Sequence, residues 1–272
     1  MTDAGPTTAI PGAPATTAIQ VTGAAQRFGR RTIYRDVSFS VATGEVFVIL
    51  GGSGCGKSTV MRQLIGLLPP TAGEIAVLGH RITGPARVAS LRVLRRSIGV
   101  MFQSGALFGS MTLLENVMLP LEMFTPLPPE GREAVARVKL GLVGLADAAG
   151  LMPAEISGGM AKRAGIARAM ALDPPLLFLD EPSAGLDPIT SAGLDRLILD
   201  LRDDLGATFV VVTHELASIL AIADRCIMLD RAAWPDAGGM IAEGDPRKLR
   251  DESTHPTVRA FFRREALPVG AP

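Results

Sequence analysis

The sequence predicts an α/β fold: a largely parallel sheet covered by helices on both faces, with a helical lobe set into it. Three observations carry this expectation. Short, almost uninterrupted apolar runs alternate with amphipathic segments, the pattern of strands buried on both faces. One such run, Glu45-Val46-Phe47-Val48-Ile49-Leu50, leads directly into Gly51-Gly52-Ser53-Gly54-Cys55-Gly56-Lys57-Ser58-Thr59, which fits G-x-x-x-x-G-K-[ST] without mismatch. Between about residues 104 and 160 the composition turns helical, and strand and helix alternation resumes beyond it.

Taken in order, residues 1 to 18 are rich in Ala, Thr, Pro and Gly without periodicity and read as a flexible tail. Ile19-Gln20-Val21, Val37-Ser38-Phe39-Ser40-Val41 and Val46 to Leu50 are short strands feeding the glycine loop. A helix from Val60 ends near Leu68-Pro69-Pro70, a strand spans Gly73 to Leu78, an arginine-rich helix Ala89 to Ser97, and a buried strand Ile98 to Phe102. Thr112 to Glu122 and Glu130 to Leu142 carry apolar residues at helical spacing, separated by the breaker run Pro126-Leu127-Pro128-Pro129. After a helix from Ala161 to Leu172 come strand Leu176 to Leu179, helix Ser191 to Leu205 and strand Thr208 to Val212. Asp230 to Gly238 reads as a lengthened hairpin loop holding Trp234, and Val258, Phe261 and Phe262 share one face of a short helix in the C-terminal tail.

The glycine loop lies between strand and helix, as phosphate binding requires. Its glycines let successive N–H groups point into one concavity, and the helix N-terminus adds unpaired donors and partial positive charge. Lys57 is placed to reach β/γ-phosphate oxygens, and the Ser58 hydroxyl can ligate a magnesium ion, Mg2+, bridging them. Asp180-Glu181 ends an apolar strand, where open α/β sheets gather ligands: Asp180 suits the metal and Glu181 can take a proton from an attacking water. The alternative is a turn-forming acidic pair. His214, at another strand end, can donate to a γ-phosphate oxygen or orient Glu181. Gln103 can bind metal and water while leading into the helical lobe. Phe28 either belongs to the core or stacks on an adenine ring. Ser157, Gly158 and Gly159 open a helix, as a plain N-cap or as a second anion site. With one loop and two phosphate sites, two copies paired head to tail would each close the other's nucleotide.

Lys+Arg and Asp+Glu balance at 27 each, so no field favours nucleic acid or an anionic membrane surface. Two cysteines, Cys55 and Cys226, are too few for a disulfide framework and suit a reducing cytoplasm. The N-terminus lacks a secretion signal's basic and apolar segments, and no window approaches 18 consecutive apolar residues.

The glycine loop, Gln103, Ile156 to Met160, Leu176 to Glu181, Ser183 to Asp187 and His214, in that order, resemble the nucleotide-binding subunit of an ATP-binding cassette transporter over about Ile19 to Gly244. The resemblance implies a P-loop NTPase (RecA-like) core, a small antiparallel β-subdomain and an inserted α-helical subdomain at about 104–160. It also implies an ATP-sandwiching homodimer, ATP hydrolysis, adenine stacking by Phe28 and a dimer contact by Asp187. The family's signature segment usually ends in glutamine, and here Met160 stands there. That methionine, Gln103 to Phe108 and Pro256 to Phe262 are similar to the ATPases of Mla/Mce-type bacterial lipid transporters. This narrower resemblance implies an integral-membrane permease (MlaE-like), a Mce-domain lipid-binding protein beyond it, and a peripheral place on the cytoplasmic face of the bacterial inner membrane. The tail from 245 to 272 is then a candidate dimer contact. A small-solute importer is the alternative within transport. A DNA-repair ATPase would need a long coiled coil or zinc module, and a translation factor of this type would need two cassettes in tandem.

Overall fold

Two long strands, β1 (Thr17–Phe28) and β2 (Arg31–Ala42), turn about Gly29, whose φ of 58° is the left-handed conformation glycine adopts freely. They replace the shorter runs read from the sequence, because polar residues alternate with buried ones along both strands and continue the ladder. The computed structural model describes residues 17–85 and 87–265. The tail expected over residues 1 to 18 lies outside them except for Thr17 and Ala18, which open β1.

β3 (Val46–Gly51) is buried along its whole length. Val46, Val48 and Leu50 face one core, and Phe47 and Ile49 face the other. Such period-2 division with both faces dry is what its continuous apolar sequence demanded. α1 (Lys57–Leu64) stops earlier than its sequence suggested: Gly66 takes φ 76°, and the Leu67 and Leu68 amides fold back onto the Arg62 carbonyl at 2.9 and 3.0 Å. β4 (Ala72–Val77) and β5 (His80–Arg81) extend the antiparallel side, then α2 (Arg87–Ser97) leads to β6 (Ile98–Met101). A 3₁₀ turn, Gln103–Ala106, follows.

α3 (Leu113–Phe124) and α4 (Pro129–Leu142) pack on each other and on α5 (Gly158–Ala169). A capping box between Thr112 and Glu115 starts α3. The buried Asn116 amide ties the approach to it, accepting from the Phe108 amide at 2.8 Å and donating to the Phe108, Met111 and Thr112 carbonyls. α5 starts and ends three residues before the helix read from the sequence, because Ser157 caps it. Beyond lie β7 (Leu176–Asp180), α6 (Pro188–Leu205), β8 (Thr208–Val212) and α7 (Leu216–Ile222). The chain continues through β9 (Arg225–Trp234), β10 (Ala237–Gly244), α8 (Pro246–Glu252) and α9 (Pro256–Arg263). The segment 230–238 is therefore mostly strand, with its ladder shifted at two places, and Trp234 lies under the Arg35 guanidinium at 4.7 Å.

The sheet order is β5-β4-β1-β2-β10-β9-β3-β8-β7-β6. Strands β9, β3, β8, β7 and β6 run parallel, and β5, β4, β1 and β2 are mutually antiparallel. The expectation of a largely parallel sheet thus holds for one half. The parallel half brings the C-terminal ends of its strands to a single edge, where α/β sheets hold ligands.

α9 settles where the tail's apolar face goes. Val258 and Phe262 are buried in the core of their own chain, with Phe261 packed edge-on to Phe262. The expectation of a dimer contact in the tail from 245 to 272 is therefore corrected for Val258 and Phe262, which their own chain buries. Phe262→Ala is expected to destabilise the monomer by about 3–5 kcal/mol, read as a lower denaturant midpoint at unchanged slope. An unchanged midpoint would place this side chain elsewhere in solution.

Candidate functional site

Gly51 ends β3 and begins the loop with φ 145°, and a side chain there would meet the Leu229 carbonyl oxygen at 2.2 Å. Gly56, at φ 107°, presses on the Tyr34 ring, which a Cβ would meet at 2.8 Å. No L-residue fits either place without moving β9 or Tyr34. Between them Cys55 is buried, and loss of water pushes its thiol up, so it packs rather than reacts. Gly52, Ser53, Gly54 and Ser58 face outward. Lys57 Nζ donates to the carbonyls of Gly51 and Gly52 at 2.8 and 3.1 Å, so the ammonium lies across the concavity. A cavity of about 290 Å³ opens there, lined by Arg31, Ile33, Gly54, Gly56, Lys57, Ser58 and Thr59. A second, of about 300 Å³, shares Arg31, Ile33 and Gly54 and reaches Arg231 and Trp234 on the β9–β10 hairpin.

Two strands away, Asp180 ends β7 opposite Val212, and the Glu181 amide donates to the Val212 carbonyl at 2.8 Å. Burial pushes the Asp180 carboxyl up, and Glu181 adds to this, against Arg62, Lys162 and Lys57. Glu181 takes φ 49°, a strained conformation for a residue with a Cβ. Its Oε1 lies 2.8 Å from His214 Nδ1, while Oε2 is buried without a partner among the described residues. An ionised carboxylate only accepts, so the tautomer carrying Nδ1–H donates to Glu181 here.

Gln103 stands two residues beyond Met101, which pairs with Leu179, and so shares the edge with Asp180. Ser58, Gln103 and Asp180 offer hydroxyl, amide and carboxylate oxygens, the hard donors magnesium takes. A carboxylate disfavoured by burial has most to gain from such a cation. Phe28 ends β1, half exposed and paired with Arg31, and is not among the residues lining the loop cavity.

The remaining sequence-predicted residues cap helices. Ser157 Oγ accepts from the Met160 amide at 3.2 Å; Gly158 is open, and Gly159 is pressed against Thr190, where a Cβ would come within 2.6 Å of Cγ2. The first amides of α5 have no partner within the helix. Asp187 caps α6 by accepting from the Ile189 and Thr190 amides, each at 3.0 Å, and the Thr190 hydroxyl foremost, with these amides, holds its carboxyl below the usual range. Ser157, Gly158 and Gly159 line neither cavity at the loop.

Sequence reading missed Arg31, Ile33, Arg231 and Lys162. Arg30-Arg31 directly after Phe28-Gly29 was a visible signal, whereas Arg231 and Lys162 reach the site only through tertiary packing.

A family model described as ABC transporter matches residues 34–184. Over 266 residues, 97% of this chain and 72% of the other, the sequence is 40% identical to the "Probable ribonucleotide transport ATP-binding protein mkl" of Mycobacterium tuberculosis. Over 222 residues, 80% of this chain and 82% of the other, it is 43% identical to the "Intermembrane phospholipid transport system ATP-binding protein MlaF" of Escherichia coli. The structure also resembles the dimeric, ADP- and Pi-bound, post-hydrolysis ATP-binding cassette MJ0796. That match has a TM-score of 0.73 at 30% identity and covers 84% of this chain and 98% of that one.

Proposed function

The chain belongs to the ABC transporter family as an ATP-binding, ATP-hydrolysing subunit, and from this premise we propose that it powers phospholipid transport of the Mla/Mce type through a separate membrane permease. The observation that carries the ATPase reading is the Glu181–His214 pair beside Asp180, on the same edge as the glycine loop. Support for lipid as cargo is the 43% identity to MlaF.

ATP lies along the loop with its β-phosphate among the loop amides and its adenine against Phe28. Lys57 leaves the Gly51 and Gly52 carbonyls for the β/γ oxygens. Ser58, Gln103 and Asp180 would hold magnesium, which when bound would neutralise phosphate charge. Glu181, aimed by His214, takes the proton of the attacking water. Ser157, Gly158 and Gly159 of a second copy close the site from outside, with Asp187 at the subunit boundary.

An apolar groove of about 460 Å³ between the sheet core and α3 includes the exposed Phe102, Phe108 and Met123. It suits a permease segment, and the 3₁₀ turn after Gln103 runs along it. No helix among the described residues is long and apolar enough to cross a membrane, which fits a peripheral subunit on the cytoplasmic face of the inner membrane. A Mce-domain protein would join the assembly only through the permease.

Small-solute import is the second reading, favoured by 40% identity to the ribonucleotide-transport protein over 97% of this chain. Purified with its permease in liposomes, the ATPase should be stimulated by phospholipid load and unmoved by ribonucleotides. The reverse response would exchange the two readings.

Binding itself is measurable on Trp234, the single tryptophan of the chain, which lines the cavity next to the loop. Addition of ATP is expected to change its fluorescence. Lys57→Ala removes two to three charge-assisted hydrogen bonds from the phosphates and should raise the apparent Kd by about 10² or more. Wild-type affinity in Lys57→Ala would contradict the loop assignment.

A further inference from the structure

Glu181 occupies a backbone conformation that two local rules oppose. Its φ is 49°, where a Cβ crowds the backbone, and Pro182 follows it, which favours extended geometry. Three hydrogen bonds hold it: its amide donates to Val212 O at 2.8 Å, while its carbonyl accepts from the Ala184 amide at 3.3 Å and from Lys162 Nζ at 2.9 Å. The first two belong to the sheet and the turn. The third comes from α5, the helix whose first residues are Gly158 and Gly159.

Lys162 is only 5% exposed. A lysine so placed loses the water that normally surrounds its ammonium, and burial pulls it below the usual lysine range. Asp180, Glu181 and Glu215 supply opposing negative charge. A shorter or neutral side chain would avoid the desolvation, so a lysine here needs a compensating use, and among the described residues its hydrogen bond into the site goes to the Glu181 carbonyl.

We propose that Lys162 is a positioning residue for hydrolysis: by holding the Glu181 carbonyl it fixes the turn that aims the carboxylate, and it fastens that turn to the helix carrying the Ser157-Gly158-Gly159 segment. The proposal rests on the ATPase reading above. Glu181 is then held at both ends, by Lys162 at its carbonyl and by His214 at Oε1.

The test is to compare Lys162→Met and Lys162→Arg with wild type, reading nucleotide Kd on Trp234, kcat by phosphate release and Tm by thermal unfolding. Met keeps the buried stem and removes the donor; Arg keeps a donor. Lys162→Met is expected to bind ATP within about twofold of wild type and to lose at least tenfold in kcat, corresponding to about 1.4 kcal/mol in the barrier. Lys162→Arg should recover most of the loss. Wild-type kcat in Lys162→Met, or equal losses in both variants tracking a lowered Tm, would overturn the proposal. Should Lys162→Met not fold, Lys162→Leu, which likewise removes the donor, replaces it, and a kcat loss in it no larger than its loss of folded fraction counts against the role. Glu181→Gln separates the two levels: if it hydrolyses normally, the ATPase reading itself fails, whereas an inactive Glu181→Gln beside a fully active Lys162→Met removes only the role of Lys162.

Discussion

Glu181→Gln is expected to bind MgATP as wild type does and to hydrolyse it at least about 10² more slowly. The amide has the shape of the carboxylate and can still meet His214, so the strained turn and the loop stay as they are. What it lacks is a place for the proton. In the wild-type chain Oε1 is committed to His214 Nδ1, and Oε2 is buried with no partner among the described residues. A buried acceptor left open is costly unless a donor arrives, and the attacking water is the donor that the reaction brings. Glutamine at this site would retain one interaction and lose the basic oxygen, so nucleotide should accumulate unhydrolysed and lengthen the life of the dimer. Phosphate release under single-turnover conditions, alongside Trp234 fluorescence for binding, separates the two effects. Turnover within tenfold of wild type would remove Glu181 as the base.

Residue patterns alone located the glycine loop, the strand ends bearing Asp180 and His214, and the helical character of the lobe, because each is a local signal. A strand buried on both faces has to be apolar throughout, and a phosphate loop has to be rich in glycine where φ turns positive. The antiparallel half of the sheet was less legible. β1 and β2 carry serine, threonine, arginine and glutamine on their exposed faces, which masks strands when only apolar runs are counted. The β9–β10 hairpin was legible, but its outer part was hidden similarly, since Asp230, Pro235 and the glycines read as loop although the ladder extends to Trp234. In the site, His214 was identifiable by its strand end, but its 2.8 Å approach to Glu181 required the tertiary structure. Lys162 gave no local signal, because its sequence neighbourhood is an ordinary helix and its partner lies 19 residues away. The tail's apolar stripe was visible, while its destination in the same chain required the tertiary structure.

Ser157→Arg carries the other large expected effect: ATP binding close to wild type and almost no turnover. Within its own chain Ser157 is a helix cap, and losing such a cap costs about 1 kcal/mol, too little to unfold a domain with a core of this size. If capping were its whole use, the variant would be slightly less stable and fully active. Ser157 and Gly158 instead stand exposed at the start of α5, lining neither cavity at the loop of their own subunit. On the proposed head-to-tail pairing the first amides of α5 meet a phosphate in a second copy, where arginine would fill the space between α5 and the partner's nucleotide. Mixing exposes this arrangement directly. In a heterodimer of Ser157→Arg with Lys57→Ala, one composite site combines the intact loop of the first subunit with the intact Ser-Gly-Gly segment of the second, and the other composite site carries both defects. Two inactive proteins should therefore regain activity when mixed. With random pairing, half the dimers are mixed and one of their two sites is sound, giving about a quarter of wild-type turnover at most. Neither variant regains activity by self-pairing. Wild-type turnover in Ser157→Arg alone, or no recovery on mixing when pairing is verified by cross-linking, would confine Ser157 to its capping role and rule out the head-to-tail site.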